Sequence, residues 1–245
     1  MIFLVAGAVY SVKAHKLTLP AALTGAFLAL AVFAGGGYTG LAMMAGFFFA
    51  GTAATSWKLS WKRQQGLAEH EKGTRTAGQV FANAGVAAFA GLAALLAPFH
   101  AEKFQLLIAA AFAAASSDTL SSELGNVYGR RFYSIIGFGK GERGRDGVIS
   151  LEGSLCGLAG AVLIAGIYLA GGGLENIFCP RNHFSAWTFR FKFTGIIVVA
   201  GITGNIVDSL LGATWERKQY IGNNAVNLLN TAAAALCAWL LNGIL

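Results

Sequence analysis

Eight apolar stretches, at residues 2–12, 19–34, 40–55, 77–97, 104–125, 149–170, 193–211 and 225–241, follow one another along this chain with short polar segments between them. Such a run leaves few architectures open. In hydrocarbon, backbone N–H and C=O groups must be satisfied within the segment or by a closed barrel, and blocks of this length predict helices that cross a bilayer. Hydrophobic residues make up 56% of the 245 positions and charged residues 12%, which excludes an ordinary soluble domain. The expected fold is an all-α polytopic transmembrane helix bundle of about eight membrane segments, forming one integral-membrane domain over residues 1–245. The first stretch is short for a crossing of roughly 20 residues, so it is predicted to tilt, to insert partway, or to extend through Lys13 to Lys16. No basic region precedes it and no small-residue cleavage site follows, so it reads as an uncleaved helix.

Loop charge orients the bundle. With the loops assigned alternately to the two sides, fourteen of the 18 Lys and Arg residues fall on one side: Lys13, Lys16, Lys58, Lys62, Arg63, Lys72, Arg75, Arg130, Arg131, Lys140, Arg143, Arg145, Arg217 and Lys218. Lys103, Arg181, Arg190 and Lys192 fall on the other. The basic side is the cytoplasmic one, both termini face outward, and Trp57 and Trp61 read as interfacial anchors. The expected location is the cell (inner) membrane.

Against that frame, four acidic residues stand out among only 11. An ionised carboxylate at membrane depth costs at least about 2.5–3.5 kcal/mol, so each one calls for a purpose. Asp118 and Glu123 fall at the cytoplasmic end of the fifth segment, Glu152 opens the sixth, and Asp208 lies near the cytoplasmic end of the seventh. Asn223, Asn224 and Asn227 open the eighth on the same side. In the seventh segment Gly201, Gly204, Asn205, Asp208 and Gly212 form a small-and-polar stripe that presents Asp208 to a neighbouring helix. Asn223, Asn227 and Asn230 form a second stripe at i, i+4, i+7. Asp118 and Glu123, five residues apart, are separated by about 140° around an ideal helix, so either they flank a site or the helix distorts or ends between them.

The loop between the fifth and sixth segments reads GFGKGERGRDG over residues 137–147. Its glycines would let the backbone fold round a phosphate, with Lys140, Arg143 and Arg145 to neutralise the oxygens. Gly139, Gly141 and Gly144 formally match G-x-G-x-x-G, but no strand precedes them and the dinucleotide-fold context is missing. Taken alone, the stretch also reads as a flexible, positive-inside loop. Carboxylates gathered in one layer repel an anionic substrate unless cations bridge them, which points to Mg²⁺, or Mn²⁺ in its place, completed by phosphate oxygens.

Four blocks in order, SSDTLSSELG (116–125), DGVISLEGSLCG (146–157), GITGNIVDSLLGAT (201–214) and NNAVNLLN (223–230), resemble the integral-membrane family that contains plant phytyl-phosphate kinase and vertebrate transmembrane protein nineteen. GTAATSWKLSWKR and GQVFANAG, around Lys58 and Asn83, fit more weakly, and the resemblance covers roughly residues 17–245. It implies a kinase that uses CTP or another NTP to convert an isoprenoid monophosphate, such as phytyl phosphate, to its diphosphate. Under that reading Asp118, Glu123 and Asp208 hold Mg²⁺, and Lys140, Arg143 and Arg145 stabilise the transferring phosphoryl group. Glu152, Asn223, Asn224 and Asn227 are further ligands or orienting groups, and Lys58 is a candidate phosphate contact. The family's usual P-x-G-T-[ND]-G stretch is here GERGRDG, without the Pro and Thr. The implied partners are the nucleotide, a lipid-phosphate substrate and the bilayer, with no nucleic acid.

Plainer roles stand beside these. Asp118 and Asp208 could cap helices or pair with loop arginines, Glu152 could simply favour a helix N-terminus, and the asparagines could be interhelical hydrogen bonds. The rival functions are a CTP-dependent lipid nucleotidyltransferase, an ion-coupled transporter and a noncatalytic scaffold. Cys156, Cys179 and Cys237 and the four histidines show no metal-ligand spacing, so neither a disulfide nor a zinc site is expected.

Overall fold

A computed structural model describes residues 2–68, 73–178 and 183–244. Lys72 and Arg181 of the charge tally, together with His70 and Cys179, lie outside the described residues.

The chain folds as a helical bundle. Its elements are α1 (Ile2–Lys13), α2 (Leu19–Ser56), α3 (Leu59–Gln64), α4 (Ala77–Leu96), α5 (Ala101–Tyr128), a small hairpin of β1 (Tyr133–Ser134) and β2 (Val148–Ile149), α6 (Leu151–Phe178), α7 (His183–Leu211) and α8 (Asn223–Ile244). Among the described residues, six helices are long and apolar enough to cross a membrane, and α2 supplies two crossings. Thr18 starts it, its hydroxyl accepting from the Ala21 N–H at 3.2 Å, with Pro20 in the first turn. At Gly37 the backbone takes φ 58° and ψ −152°, a conformation that L side chains avoid, and the helix breaks. Lys16, just before α2, donates to the hydroxyl of Ser56, its last residue, at 2.9 Å. A straight helix of 38 residues would hold those ends about 57 Å apart, so the two arms fold back on each other as a transmembrane hairpin. They correspond to the second and third apolar stretches. The twelve residues of α1 span only about 18 Å, and α1 packs against α2.

α5 is the axis of the bundle. It packs against α2, α4, α6, α7 and α8, and from Ile108 through Ser117 every residue is fully buried. A helix apolar on all sides belongs in a core, and here six of those ten positions are alanine (Ala109, Ala110, Ala111, Ala113, Ala114, Ala115), bracketing one phenylalanine, Phe112, which stacks on Phe47 of α2 at 6.2 Å between ring centroids. Small side chains let neighbouring backbones close in. Gly160 of α6 and Gly204 of α7 face this stretch so closely that an added methyl would lie 2.6 Å from the Ser116 carbonyl oxygen and 2.5 Å from the Ala114 Cβ, respectively.

The loops assigned to the cytoplasm meet at one end of the bundle. The segment before α2 pairs with the segment before α4, Arg75 N–H donating to the Lys16 carbonyl at 3.0 Å and Thr18 N–H to the Arg75 carbonyl at 3.1 Å. Trp57 donates its indole N–H to the Tyr128 hydroxyl at 2.8 Å, joining the ends of α2 and α5.

Candidate active site

Where those loops meet, the bundle opens into a cavity of about 970 Å³. Its walls come from the end of α2, the segments before α4, the cytoplasmic halves of α5 and α7, the β-hairpin loop and the start of α8. Asp118, the first charged residue after the buried alanine run of α5, enters it from one side and Asp208 of α7 from another. These two carboxyl groups lie close enough to interact directly. Two carboxylates cannot meet without a proton or a cation between them. Asn230 of α8, fully buried, donates from Nδ2 to the Asp208 Oδ2 at 2.8 Å, while its own Oδ1 has no protein partner. Asn230 thus backs the pair from α8.

Glu123 lines the same cavity but turns to a different neighbour. It forms an ion pair with Lys62 of α3, whose side chain is wholly buried. Lys62 Nζ also donates to the carbonyls of Ala54 (3.0 Å) and Thr55 (2.9 Å) in the last turn of α2. α5 runs unbroken through both acids, so of the geometries open to them, Asp118 and Glu123 flank the site about 140° apart rather than sharing one face. Among the described residues, no three His, Cys, Asp or Glu side chains form a ready-made metal cluster.

Asn223, Asn224 and Asn227 all line the cavity, with Asn227 Nδ2 donating to Asn223 Oδ1 at 3.1 Å. Glu152 does not line it. It sits in the first turn of α6, where its carboxylate accepts the Arg130 backbone N–H at 3.3 Å. Lys58, in a left-handed conformation ahead of α3, places its ammonium 5.5 Å from the centre of the Tyr128 ring, also away from the cavity.

The glycine-rich loop is folded rather than loose. β1 and β2 pair antiparallel, Tyr133 with Ile149 and Ser134 with Val148. The Ser134 and Gly141 N–H groups donate to the carbonyls of Gly139 and Phe132, each at 2.9 Å. Gly144 and Arg145 line the cavity, whereas Gly139, Gly141, Lys140 and Arg143 do not. Arg143 donates to the Gly129 carbonyl at 2.9 Å, and its guanidinium lies 4.9 Å from the centre of the Phe132 ring and 5.6 Å from that of Trp61. It fastens the loop to the bundle. Arg145 is exposed and paired with Glu142 at 3.6 Å.

Several lining residues lay outside the candidate set. Asp146 carries its carboxylate on the loop opposite Asp208, and Arg217 donates to its backbone carbonyl. Asn126, Asn83 and Arg75 complete other walls. The i, i+4, i+7 spacing marked Asn230, and the DGVISLEG block contained Asp146, but Arg75 was indistinguishable from any positive-inside residue. Among the described residues, five acids (Asp118, Glu123, Asp146, Asp208 and Glu216) and two bases (Arg75 and Arg145) line the cavity.

Residues 2–235 match the family described as integral membrane protein DUF92. The chain belongs to this family. Membership agrees with the resemblance carried by the four ordered blocks, and Asp118, Glu123, Asp146, Asp208 and Asn227 of the cavity lining lie in them. Among similar proteins, Protein VTE6, chloroplastic, of Arabidopsis thaliana is 30% identical over 211 residues, covering 84% of this chain and 59% of the plant protein. The chain thus spans about three fifths of that relative's length. An uncharacterised membrane protein of Synechocystis is 31% identical over 218 residues, covering 86% of this chain and 77% of its own. A second, from Methanocaldococcus jannaschii, is 37% identical over 125 residues, covering 51% of this chain and 45% of its own. No solved structure matches the chain.

Proposed function

We propose that this protein is a membrane-bound phosphotransferase, a kinase that uses CTP or another NTP to convert an isoprenoid monophosphate of the phytyl or prenyl type to its diphosphate. The observation that carries the reading is the contact between Asp118 and Asp208 inside a cavity at the cytoplasmic end of the bundle.

The donor set fits Mg²⁺. That ion is commonly held by one or two carboxylates and completed by water and substrate phosphates, rather than by an all-protein cage. Asp118 and Asp208 would hold it, Asn230 would orient Asp208, and Asp146 faces them from the loop; Mn²⁺ has similar requirements. When bound, the metal supplies charge neutralisation for the phosphates. The excess of acids over bases in the lining makes such neutralisation a condition for any anionic substrate to enter.

The chain's own groups do the rest. Asn223, Asn224 and Asn227 offer neutral amide donors and acceptors in the lining, suited to a nucleotide, and Arg145 offers a cation from the loop. Glu123 shapes the wall by holding Lys62. In the reaction an oxygen of the acceptor phosphate attacks the terminal phosphorus of the nucleotide. The new P–O bond forms as the bridging P–O bond breaks, and the nucleoside diphosphate leaves. The attacking oxygen is already anionic, so positioning and electrostatics suffice without a strong general base.

The test is incubation of purified protein with Mg²⁺, labelled CTP and phytyl phosphate. Phytyl diphosphate with CDP supports the kinase, whereas a CDP-lipid with pyrophosphate replaces it by a nucleotidyltransferase at the same site. Asp118→Asn and Asp208→Asn should each lower turnover by at least a hundredfold while the protein stays folded. Near-normal activity in both would remove the metal site from the mechanism.

A further inference from the structure

We propose that Asn83 of α4 reads the base of the nucleotide, accepting a hydrogen bond from an exocyclic amine and so selecting an amine-bearing base over one with a carbonyl in that place. The inference rests on the kinase reading for the presence of a nucleotide, and on the structure for the residue. Asn83 lines the cavity and is only 8% exposed. Its Nδ2 donates to the Gln79 carbonyl, one turn earlier, at 2.8 Å. That bond fixes the amide, because only the nitrogen can donate to a carbonyl. The Oδ1 is left buried with no partner in the protein. A buried acceptor in that state costs free energy until a donor reaches it, and the cavity is where a donor can arrive.

The surrounding wall decides what kind of donor. The five lining acids come from α5, the hairpin loop, α7 and the turn that follows it. α4 and α8 carry no charged side chain. Thr76 at the N-cap of α4, Gln79 and Asn83 line the cavity at spacings of three and four residues, which puts them on one face of that helix. Asn223, Asn224 and Asn227 line it from α8. Gly78 joins the two sets: a methyl there would lie 2.6 Å from the Asn224 Nδ2, so the α8 amides close directly on the first turn of α4. α8 packs against α4 as well as α7, and this neutral wall begins where the carboxylate wall ends.

Of the groups the proposed reaction brings to the cavity, one class satisfies Asn83. A phosphate offers acceptor oxygens, which a carbonyl oxygen repels, and a metal ion goes to the carboxylates. An isoprenoid tail has no donor. The nucleoside has two kinds, the ribose hydroxyls and, on cytosine or adenine, an exocyclic amine. The ribose is bonded to the phosphates and held with them near the carboxylates, whereas the base is the end free to reach the neutral wall. Uracil presents a carbonyl oxygen where cytosine presents the amine, and so sets acceptor against acceptor at Oδ1.

Nucleotide binding is measured without lipid, on the protein in nanodiscs with Mg²⁺, by titration with CTP, UTP, dCTP and CTP dimethylated on its exocyclic amine. CTP should bind at least about tenfold more tightly than UTP or the dimethylated form, which keeps the ring but cannot donate; that is the scale of one hydrogen bond to a buried acceptor. dCTP should bind about as tightly as CTP. Asn83→Leu, similar in size and without the acceptor, should weaken CTP at least about tenfold and leave UTP no weaker than in wild type, so that the preference collapses. A merely structural role would weaken both nucleotides alike. UTP or the dimethylated form binding wild type as tightly as CTP would overturn the proposal even if Asn83→Leu does not fold, as would a loss confined to dCTP, which would assign Asn83 to the ribose. Turnover of CTP on phytyl phosphate with a base preference that Asn83→Leu leaves unchanged overturns the proposal and keeps the kinase reading. An Asn83-dependent preference for CTP with no phytyl diphosphate formed overturns the kinase reading and leaves this one standing.

Discussion

Replacing Lys62 by Met should be among the most damaging single changes in the chain, although sequence alone ranks Lys62 with ordinary loop charges. Its side chain has 0% exposure, and its ammonium serves Glu123 and the carbonyls of Ala54 and Thr55 together. Removing one partner of a buried ion pair costs about 3–5 kcal/mol, because the other charge stays behind without compensation. Glu123 keeps 15% exposure, and water reaching it places the expected loss near about 3 kcal/mol. Glu123→Gln should cost less, about 1–2 kcal/mol, since the amide oxygen still accepts from Nζ and the two carbonyls remain. The double variant Lys62→Met/Glu123→Met removes both charges at similar volume and should be more stable than Lys62→Met alone. Equilibrium unfolding in mixed micelles, followed by the fluorescence of Trp57 and Trp61, which shortly precede Lys62 in the chain, measures all three. A loss below about 1 kcal/mol for Lys62→Met, or a double variant no more stable than Lys62→Met alone, would refute the claim that this pair fixes α3 to the cavity wall.

Two further substitutions separate orienting groups from bystanders. Asn230→Ala takes away the donor that holds Asp208, and loss of such supporting contacts costs roughly 10–100-fold in metal affinity. The Mg²⁺ concentration for half-maximal activity should rise by about that factor, and an unchanged Mg²⁺ dependence would dissociate Asn230 from the site. Glu152→Gln should leave turnover within twofold of wild type, because Glu152 contacts the Arg130 backbone outside the cavity. Its expected cost is the helix-terminus interaction, about 0.3–1 kcal/mol, and a tenfold loss of activity would return it to the metal site.

How far the sequence could be read depended on the range of the interaction. The helices were legible because bilayer length and apolar content act residue by residue. The hairpin within α2 was legible because two apolar stretches flank a Gly-Gly-Gly at 35–37, and the break falls at Gly37. The cavity position of Asp118, Asp208 and the asparagines followed from helical spacing and the charge bias of the loops. What escaped were pairings between distant segments. The Gly-rich loop reads as flexible because strands of two residues carry no periodicity of their own; their order comes from non-local bonds such as Ile135 N–H to the Gly147 carbonyl at 3.0 Å. Lys62 and Arg75 obey the positive-inside rule as their neighbours do, and only the fold sends one to Glu123 and the other onto Phe47.

The alanine run of α5 links these two levels. A central helix of large residues would hold α6, α7 and α8 at the usual separation, and polar groups on different helices would reach one another through water. With alanine through most of the buried stretch, backbones approach closely enough for Gly204 to leave no room for a methyl beside Ala114. Asp118 emerges about one turn beyond that contact. Asp208 emerges about one turn beyond Gly204 on α7, and Asn230, whose carbonyl lies 2.9 Å from the same hypothetical methyl, arrives on α8. Three helices that touch at their small residues therefore carry their polar groups to one point with no loop to adjust them. The side chains that look least specific in the sequence set the spacing of the carboxylates. The same packing keeps Asp118 and Asp208 in contact, so that a proton or cation is required between them.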